Sequence, residues 1–165
     1  MRKFVEAEEN DLFVNAMLNG NEVIEEALAA WRKDQKDVCA MLAVYKSLLD
    51  RDRECGGLIL SVEPGDIPAG ADNIEFFNGD QHLCMNRSKG QYGDNYLVVF
   101  TSRERFQEHN DTAGVVMFIR ELFSTLGNME GVDGIVMNLS REEVVFDKSN
   151  MLQLCRMMEV SEETK

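Results

Sequence analysis

Apolar positions in the first third of the chain recur every three or four residues, as in amphipathic helices. Asp11 to Leu18 predicts a short first helix ended by Gly20, and Asn21 follows as a cap for a second helix. The polar stretch Lys33–Asp37 predicts a break before a third helix, with one continuous helix as the alternative. The predicted inner faces are Leu12, Phe13, Ala16 and Met17; then Val23, Ile24, Ala27, Leu28 and Trp31; then Val38, Met41, Leu42, Tyr45, Leu48 and Leu49.

After Cys55-Gly-Gly57 the pattern changes to short apolar runs bounded by turn residues, which predict strands. The predicted strands are Leu58–Val62, Asn73–Phe77, Gln81–Asn86, Tyr96–Phe100, Gly134–Met137 and Glu143–Phe146. Asn78-Gly79 predicts a hairpin between the second and third of them.

Three helical stretches interrupt and follow these strands. One begins near Ser102, a second amphipathic stretch runs from Val115 to Leu126, and Ser149 is predicted to cap a last helix carrying Met151, Leu152, Cys155 and Met158. This order predicts one α+β domain over residues 1–165, with a helical N-terminal third and a mostly antiparallel or mixed sheet of about five to six strands between flanking helices. Residues 1–20 are predicted to form an additional N-terminal helical segment, and residues 159–165 a frayed tail.

The charge of the chain narrows the classes of partner. Seventeen basic and thirty acidic residues give a formal net charge of −13, which repels nucleic acids and anionic membranes and suits a basic protein partner. No apolar stretch approaches the roughly 20 residues that cross a bilayer, and the acidic start lacks the apolar region of a signal peptide. We therefore expect a cytoplasmic protein in which the four cysteines are buried, reduced apolar groups.

Few residues suggest chemistry. Only two histidines are present, and His82 with Cys84 forms a His-x-Cys pair that lacks a second half for a metal site. His109 falls in a polar loop, and the acidic clusters are expected to be solvated helix faces. No phosphate-binding glycine motif is present. The sequence therefore predicts no catalytic residue, no metal site and no cofactor.

The junction Thr101-Ser-Arg-Glu104 follows a Val-rich strand and has the form of a helix capping box. In that interpretation the Thr101 hydroxyl accepts from the amide of Glu104, whose carboxylate reaches back to the amide of Thr101. The alternative is an anion site formed by helix amides beside Arg103 and Arg105. The Glu104 carboxylate would compete for the same amides, so we favour the structural role.

The same junction resembles the SseB family, named for enhanced serine sensitivity in bacteria. The resemblance covers about residues 21 to 158 and depends most on Phe100, Thr101, Ser102 and Glu104, with Asn138 at the end of a later Gly-Ile-Val-Met-Asn strand. Leu139 stands where the family usually has proline. The resemblance implies an α+β fold of undefined biochemical role, in which these motif residues are structural and no catalytic residues are carried over.

Ten methionines are many for this length, and most lie on predicted helices. Core filling is the simpler explanation, and an adaptable groove for a partner helix is the alternative. We expect a non-catalytic protein-binding or regulatory module, with a small metabolite as a further ligand class. The second hypothesis is an acidic secretion-chaperone-like protein of the type III export kind, which would form a homodimer. A small hydrolase or transferase would need a pocket around His82.

Overall fold

The structure, a computed structural model, describes residues 12–63, 74–76, 85–86, 95–109, 113–138 and 143–163. Residues 12–18 form helix α1, followed by α2 (Glu22–Lys33) and α3 (Val38–Arg53). The strands and later helices are β1 (Gly57–Val62), β2 (Ile74–Phe76), β3 (Tyr96–Phe100), α4 (Arg103–His109), β4 (Ala113–Phe118), α5 (Ile119–Gly127), β5 (Gly134–Met137), β6 (Val144–Asp147) and α6 (Lys148–Glu163). The predicted α+β class and helical N-terminal third are confirmed.

The described strands form one mixed sheet of six strands in the order β2-β4-β1-β3-β5-β6. The pairs β1–β3, β1–β4 and β5–β6 are antiparallel, whereas β2–β4 and β3–β5 are parallel. Residue 85 joins the sheet through an isolated bridge to Val62. The predicted hairpin at Asn78-Gly79 lies outside the described residues, and β2 itself pairs in parallel with β4.

Helices cover both faces of the sheet, because successive strand residues point to opposite sides. One face packs with α2, α3, α5 and α6 into the larger apolar core, which contains Leu58 and Leu60 of β1. The other face, with Ile59 and Phe100, packs against α1 and Phe106 of α4. Both faces of β1 are therefore fully buried, which explains why its sequence is apolar except for Ser61.

The prediction of a helix from Val115 to Leu126 is wrong in its first part. Residues 113–118 form β4, whose six residues pair with all six residues of β1. The apolar spacing there fits a helix and a buried strand equally, and β-branched Val115 and Val116 favour the strand once β1 is present to pair with them. The helix begins only at Ile119 and buries Leu122, Phe123 and Leu126 as predicted.

Several predicted helix faces are also corrected. In α1 the buried residues are Val14, Met17 and Leu18, whereas Leu12 and Phe13 are 70% and 60% exposed. Val23 of α2 is likewise exposed. The break between α2 and α3 is confirmed, and Asp37 caps α3 by accepting from the amide of Ala40 at 3.2 Å.

The end of the chain differs from the prediction in its cap and its length. α6 is capped by Asp147 rather than Ser149, through a reciprocal pair of bonds between Asp147 and Asn150 at 2.8 and 3.1 Å. The helix continues to Glu163. Among the described residues, no helix combines the length and the apolar character needed to cross a membrane.

Candidate functional site

Five polar side chains meet at the end of the sheet where β3 and β5 finish and β1 begins. We call Asn21, Glu25, Arg51, Thr101 and Asn138 the polar cluster. All but Glu25 are almost fully buried, so each polar atom needs a partner within the protein. The cluster joins α2, α3, β3 and the end of β5.

Asn21 is the N-cap residue of α2, but its side chain makes no capping bond. Its amide nitrogen donates instead to the carbonyls of Gly57 at 2.8 Å and Thr101 at 2.9 Å. The amide oxygen accepts from Arg51 Nε at 2.9 Å. Asn21 therefore occupies the predicted cap position, but the predicted capping bond is absent. Its side chain bonds instead to two buried carbonyls at the sheet end, which would otherwise lack a donor.

Arg51 is 4% exposed, and all three of its guanidinium nitrogens donate. Besides Asn21, they reach the Met17 carbonyl and the Glu54 carboxylate, each at 2.9 Å. Gly20, with φ of +101°, and Gly56 lie against this guanidinium, and a Cβ on Gly56 would come within 2.9 Å of Nη2. The two glycines therefore leave the space that the buried cation fills.

Thr101 and Asn138 join the ends of the parallel strands β3 and β5. The Thr101 amide donates to Asn138 Oδ1 at 3.1 Å, and Asn138 Nδ2 donates to the Thr101 hydroxyl at 3.1 Å. That hydroxyl donates to Glu25 Oε1 at 2.7 Å. Asn138 has φ of +60°, a left-handed conformation that asparagine tolerates better than most residues.

The structure brings only some of the predicted motif residues together. Phe100 is buried on the other face, edge-on to Phe106 at 5.7 Å, and Glu104 is exposed in the first turn of α4. The capping box is wrong by one residue, since the hydroxyl that accepts from a helix amide belongs to Ser102, bonded to Arg105 N at 3.2 Å. Thr101 cannot take that role because its hydroxyl serves the polar cluster.

A polar cleft of about 390 Å³ lies beside the cluster, between α1, the first turn of α2 and the start of α4. Arg103 crosses from one wall to the other, with Nε donating to Asn15 Oδ1 at 2.9 Å. The other polar side chains of the wall are Asn19, Glu22, Ser102 and Glu104. Two carboxylates and one guanidinium leave the lining with a slight negative charge.

A second concavity is mainly apolar and lies on the opposite helical layer. We call it the α3–α6 groove; it has a volume of about 440 Å³ and is lined by Leu49, Gln153, Arg156, Met157 and Val160. Val160 is 59% exposed. An open apolar concavity of this kind is a candidate contact surface.

Two further apolar residues of α3 are exposed. Val38 and Leu42 were predicted to face the core, but they are 60% and 47% exposed. They lie four residues apart and on the same side of α3 as Leu49, since eleven residues make close to three helical turns. Val44, Tyr45 and Leu48 are buried. Tyr45, seven residues after Val38 and four before Leu49, lies on that same side and is covered by α6, so Val38 and Leu42 are separate from the groove.

Polar side chains connect α3 to the start of α6. Asn150 Nδ2 donates to the Tyr45 phenol oxygen at 2.8 Å, and the phenol donates to Gln153 Oε1 at 3.4 Å. Burial raises the pKa of Tyr45, the Asn150 bond opposes this rise, and the Asp147 carboxylate adds to it. Burial also raises the pKa of the Cys155 thiol, with a further contribution from Glu159.

The cysteine and histidine predictions have mixed outcomes. Cys39 and Cys55 are exposed and Cys155 is half-buried, so the expectation of buried cysteines is wrong for the described ones. His82 and Cys84 lie outside the described residues, and His109 is the last residue of α4. Within the described part of the chain, no group of three His, Cys, Asp or Glu side chains has a metal-binding arrangement.

Three members of the polar cluster were missed by sequence reasoning: Asn21 was predicted to be a cap, Glu25 was included in the acidic helix faces expected to be solvated, and Arg51 was given no role. One signal for Arg51 was available. It follows Val44 and Leu48 at helical spacing, which places a cation on the buried side of α3, where it must have acceptors.

Together these features define an α+β domain with a central mixed sheet, a self-bonded polar cluster at one sheet end and an open apolar groove on one helical layer. A family model described as the SseB protein N-terminal domain matches residues 24–151, most of the chain. The chain therefore belongs to the SseB family, and the resemblance seen in the sequence is confirmed. No curated protein and no solved structure shows significant similarity to it. Helix α1 and the residues of α6 that line the groove lie outside the matched range.

Proposed function

We propose that this SseB-family chain is a non-catalytic binding module that holds another protein in the α3–α6 groove. The observation that carries the proposal is the open apolar groove lined by Leu49, Met157 and Val160, in which Val160 is 59% exposed. Met157 packs against the core while also lining the groove, and a flexible methionine adapts its shape to a partner.

The polar cluster supports a non-catalytic role. The amide and guanidinium groups of Asn21 and Arg51 are used in bonds within the protein. Thr101 and Asn138 bond to each other. A catalytic group needs an atom directed at a substrate, whereas these atoms fix the ends of helices and strands.

Charge favours a different protein over a second copy as the occupant. Two copies of a chain with net charge −13 repel each other, whereas a basic partner is attracted. We place the interaction in the cytoplasm, because the exposed thiols of Cys39 and Cys55 suit a reducing compartment.

The proposal is tested by site-specific photo-crosslinking in cells from Arg156, an exposed residue of the groove lining, followed by binding measurements with the purified captured protein. Val160→Gln removes exposed apolar surface from the groove, and Val23→Gln is the matched control, since it removes a similarly exposed valine from α2. We expect Val160→Gln to weaken binding about tenfold, because losing the burial of this side chain costs roughly 1.4 kcal/mol of binding free energy. Val23→Gln should leave binding unchanged.

Equal binding by both variants would refute the groove as the docking surface. Sedimentation of the purified chain at several concentrations tests the other occupant. A dimer that Val160→Gln dissociates and Val23→Gln does not would show that a second copy fills the groove, and the partner-protein proposal would then be wrong.

A further inference from the structure

The two polar side chains of the α3–α6 groove both offer hydrogen-bond donors. Gln153 and Arg156 line the groove, are exposed, and lie three residues apart on α6, a spacing that places them side by side on the helix surface. A guanidinium carries N–H donors and no acceptor. Arg156 is also the charged residue of the lining, so the groove presents a positive charge to its occupant although the whole chain is acidic.

Bonds between α3 and α6 orient the Gln153 amide. Asn150 Nδ2 donates to the Tyr45 phenol oxygen at 2.8 Å, and the phenol in turn donates to Gln153 Oε1 at 3.4 Å. The acceptor atom of the Gln153 side chain therefore faces Tyr45. The two donors of Nε2, on the other side of the amide carbon, are left for an occupant.

These donors have no acceptor within the part of the chain that the structure describes. There, Arg156 forms no ion pair or hydrogen bond through its side chain, and the Gln153 side chain bonds through Oε1 alone. An occupant that covers the apolar lining also removes water from Arg156. A cation that loses water without gaining an acceptor destabilises the complex. The occupant must therefore bring an anionic acceptor with it.

The donors and the apolar side chains occupy successive turns of α6. Gln153 and Arg156 come on average four residues before Met157 and Val160, which is one helical turn or about 6 Å along the axis. Leu49 of α3 lies on the opposite wall. An occupant therefore fits when its acceptor and its apolar group are about 6 Å apart.

We propose that the partner segment in the groove carries an aspartate or glutamate whose carboxylate accepts from Arg156 and Gln153. An apolar side chain of the same segment, about 6 Å farther along α6, packs on Leu49, Met157 and Val160. This inference rests on the proposed function and specifies the residue that sets the register of the partner. The net charge of −13 attracts a basic protein over long distances, whereas the carboxylate acts on contact, where opposite charges select the partner and its register.

The first test uses three small probes with the same alkyl chain and different polar ends: hexanoate, hexanol and hexylammonium. Each is titrated into the nitrogen-15-labelled chain, and binding is followed from the NMR amide signals of residues 153–160. We expect hexanoate to bind about fivefold more tightly than hexanol, the value of a partly exposed ion pair, and hexylammonium to bind most weakly. The negative net charge would favour the opposite order if the groove did not recognise a carboxylate.

Two arginine variants test the placement of the carboxylate. Arg156→Gln removes the proposed donor, and Arg32→Gln is the matched control, since it removes an exposed arginine of α2 and changes the net charge equally. We expect Arg156→Gln to abolish the preference for hexanoate and Arg32→Gln to retain it.

The same two variants are measured with the partner captured by crosslinking. Arg156→Gln should weaken its binding about tenfold, because the partner carboxylate loses a charge-assisted pair, and Arg32→Gln should leave it unchanged. The photo-reactive residue at position 156 also lacks the guanidinium, but a complex about tenfold weaker is still captured because the crosslink is covalent.

The outcomes separate this inference from the proposed function. A hexanoate affinity no greater than that of hexanol, or a preference that survives Arg156→Gln, would overturn the recognition of a carboxylate. If the captured partner were sensitive to Val160→Gln and not to Arg156→Gln, the groove would remain the docking surface and this inference would be wrong. A preference for hexanoate without any partner sensitive to Val160→Gln would show that a small carboxylate fills the groove, and the proposed function would then fail together with the partner carboxylate.

Discussion

Replacement of Arg51 by methionine tests the physical basis of the sheet-end architecture. Methionine has a similar length but donates no hydrogen bond, so Asn21 Oδ1 and the Met17 carbonyl lose their partner in a buried site. Each unsatisfied buried acceptor costs about 1–3 kcal/mol, whereas the Glu54 carboxylate, whose side chain is 64% exposed, regains water. The two lost acceptors, partly offset by the apolar methionine, predict destabilisation by about 3–5 kcal/mol.

Urea denaturation followed by circular dichroism measures this change directly. Domains of this kind unfold with about 5–15 kcal/mol, so the loss is a large fraction of the total and should lower Tm by roughly 6–20 °C. Arg53→Met is the matched control: Arg53 lies on the same helix with its side chain 50% exposed, and its exposed ion pair contributes about 0–1 kcal/mol.

A loss of less than about 1 kcal/mol in Arg51→Met would refute the reasoning that burial and saturated hydrogen bonding make this cation structural. A double-mutant cycle with Asn21→Ala adds a second criterion. The two changes share one hydrogen bond, so their effects should fall short of additivity by more than 0.5 kcal/mol or so. Strict additivity would show that the two residues act independently.

Three further outcomes follow from the same geometry. Thr101→Val removes the hydroxyl that joins Glu25 and Asn138 and should cost about 1–2 kcal/mol in urea unfolding; an unchanged midpoint would contradict this. Burial raises the pKa of Tyr45, so its contribution to stability is present below the ordinary phenol pKa and is lost as pH rises through the folded value. Ultraviolet titration should therefore show one phenol that ionises at a higher pH than the other tyrosines and that is missing from Tyr45→Phe. If all the phenols ionised together, the result would argue against the burial of Tyr45. The raised pKa of half-buried Cys155 should make its alkylation at pH 8 slower than that of exposed Cys39, as peptide mass spectrometry measures; equal rates would exclude that difference in environment.

The local sequence pattern correctly predicted those helices and strands that depend mainly on residues adjacent in sequence. The polar stretch Lys33–Asp37 separated two helices because Asp37 offers a cap and no apolar residue continues the stripe. The Val-rich run Tyr96–Phe100 became a central strand because four of its five residues are fully apolar and buried. The motif residues from Phe100 to Glu104, with Asn138, were sufficient to identify the SseB family.

The candidate surface was predicted less well than the fold. Methionines on helices suggested an adaptable groove, and Met157 does line one. The exposure of Val38 and Leu42 was not predicted, because they have the same periodicity as the buried residues of α3. An amphipathic stripe shows which side of a helix is apolar. It does not show how much of that side a neighbouring helix covers, and α6 covers α3 from Tyr45 onward.

The sequence alone determined the α+β order of helices and strands, the acidic charge and the family, because these depend on residue type and short-range spacing. Tertiary structure decided three features: that residues 113–118 form a strand, that Arg51 is buried, and that Val38 and Leu42 of α3 stay exposed while Tyr45 is covered by α6. Each of these depends on a partner distant in sequence: β1 for the strand, Asn21 for the arginine and α6 for the surface of α3. The free energy of such a contact depends on both segments, so the sequence of one segment does not determine whether the contact forms.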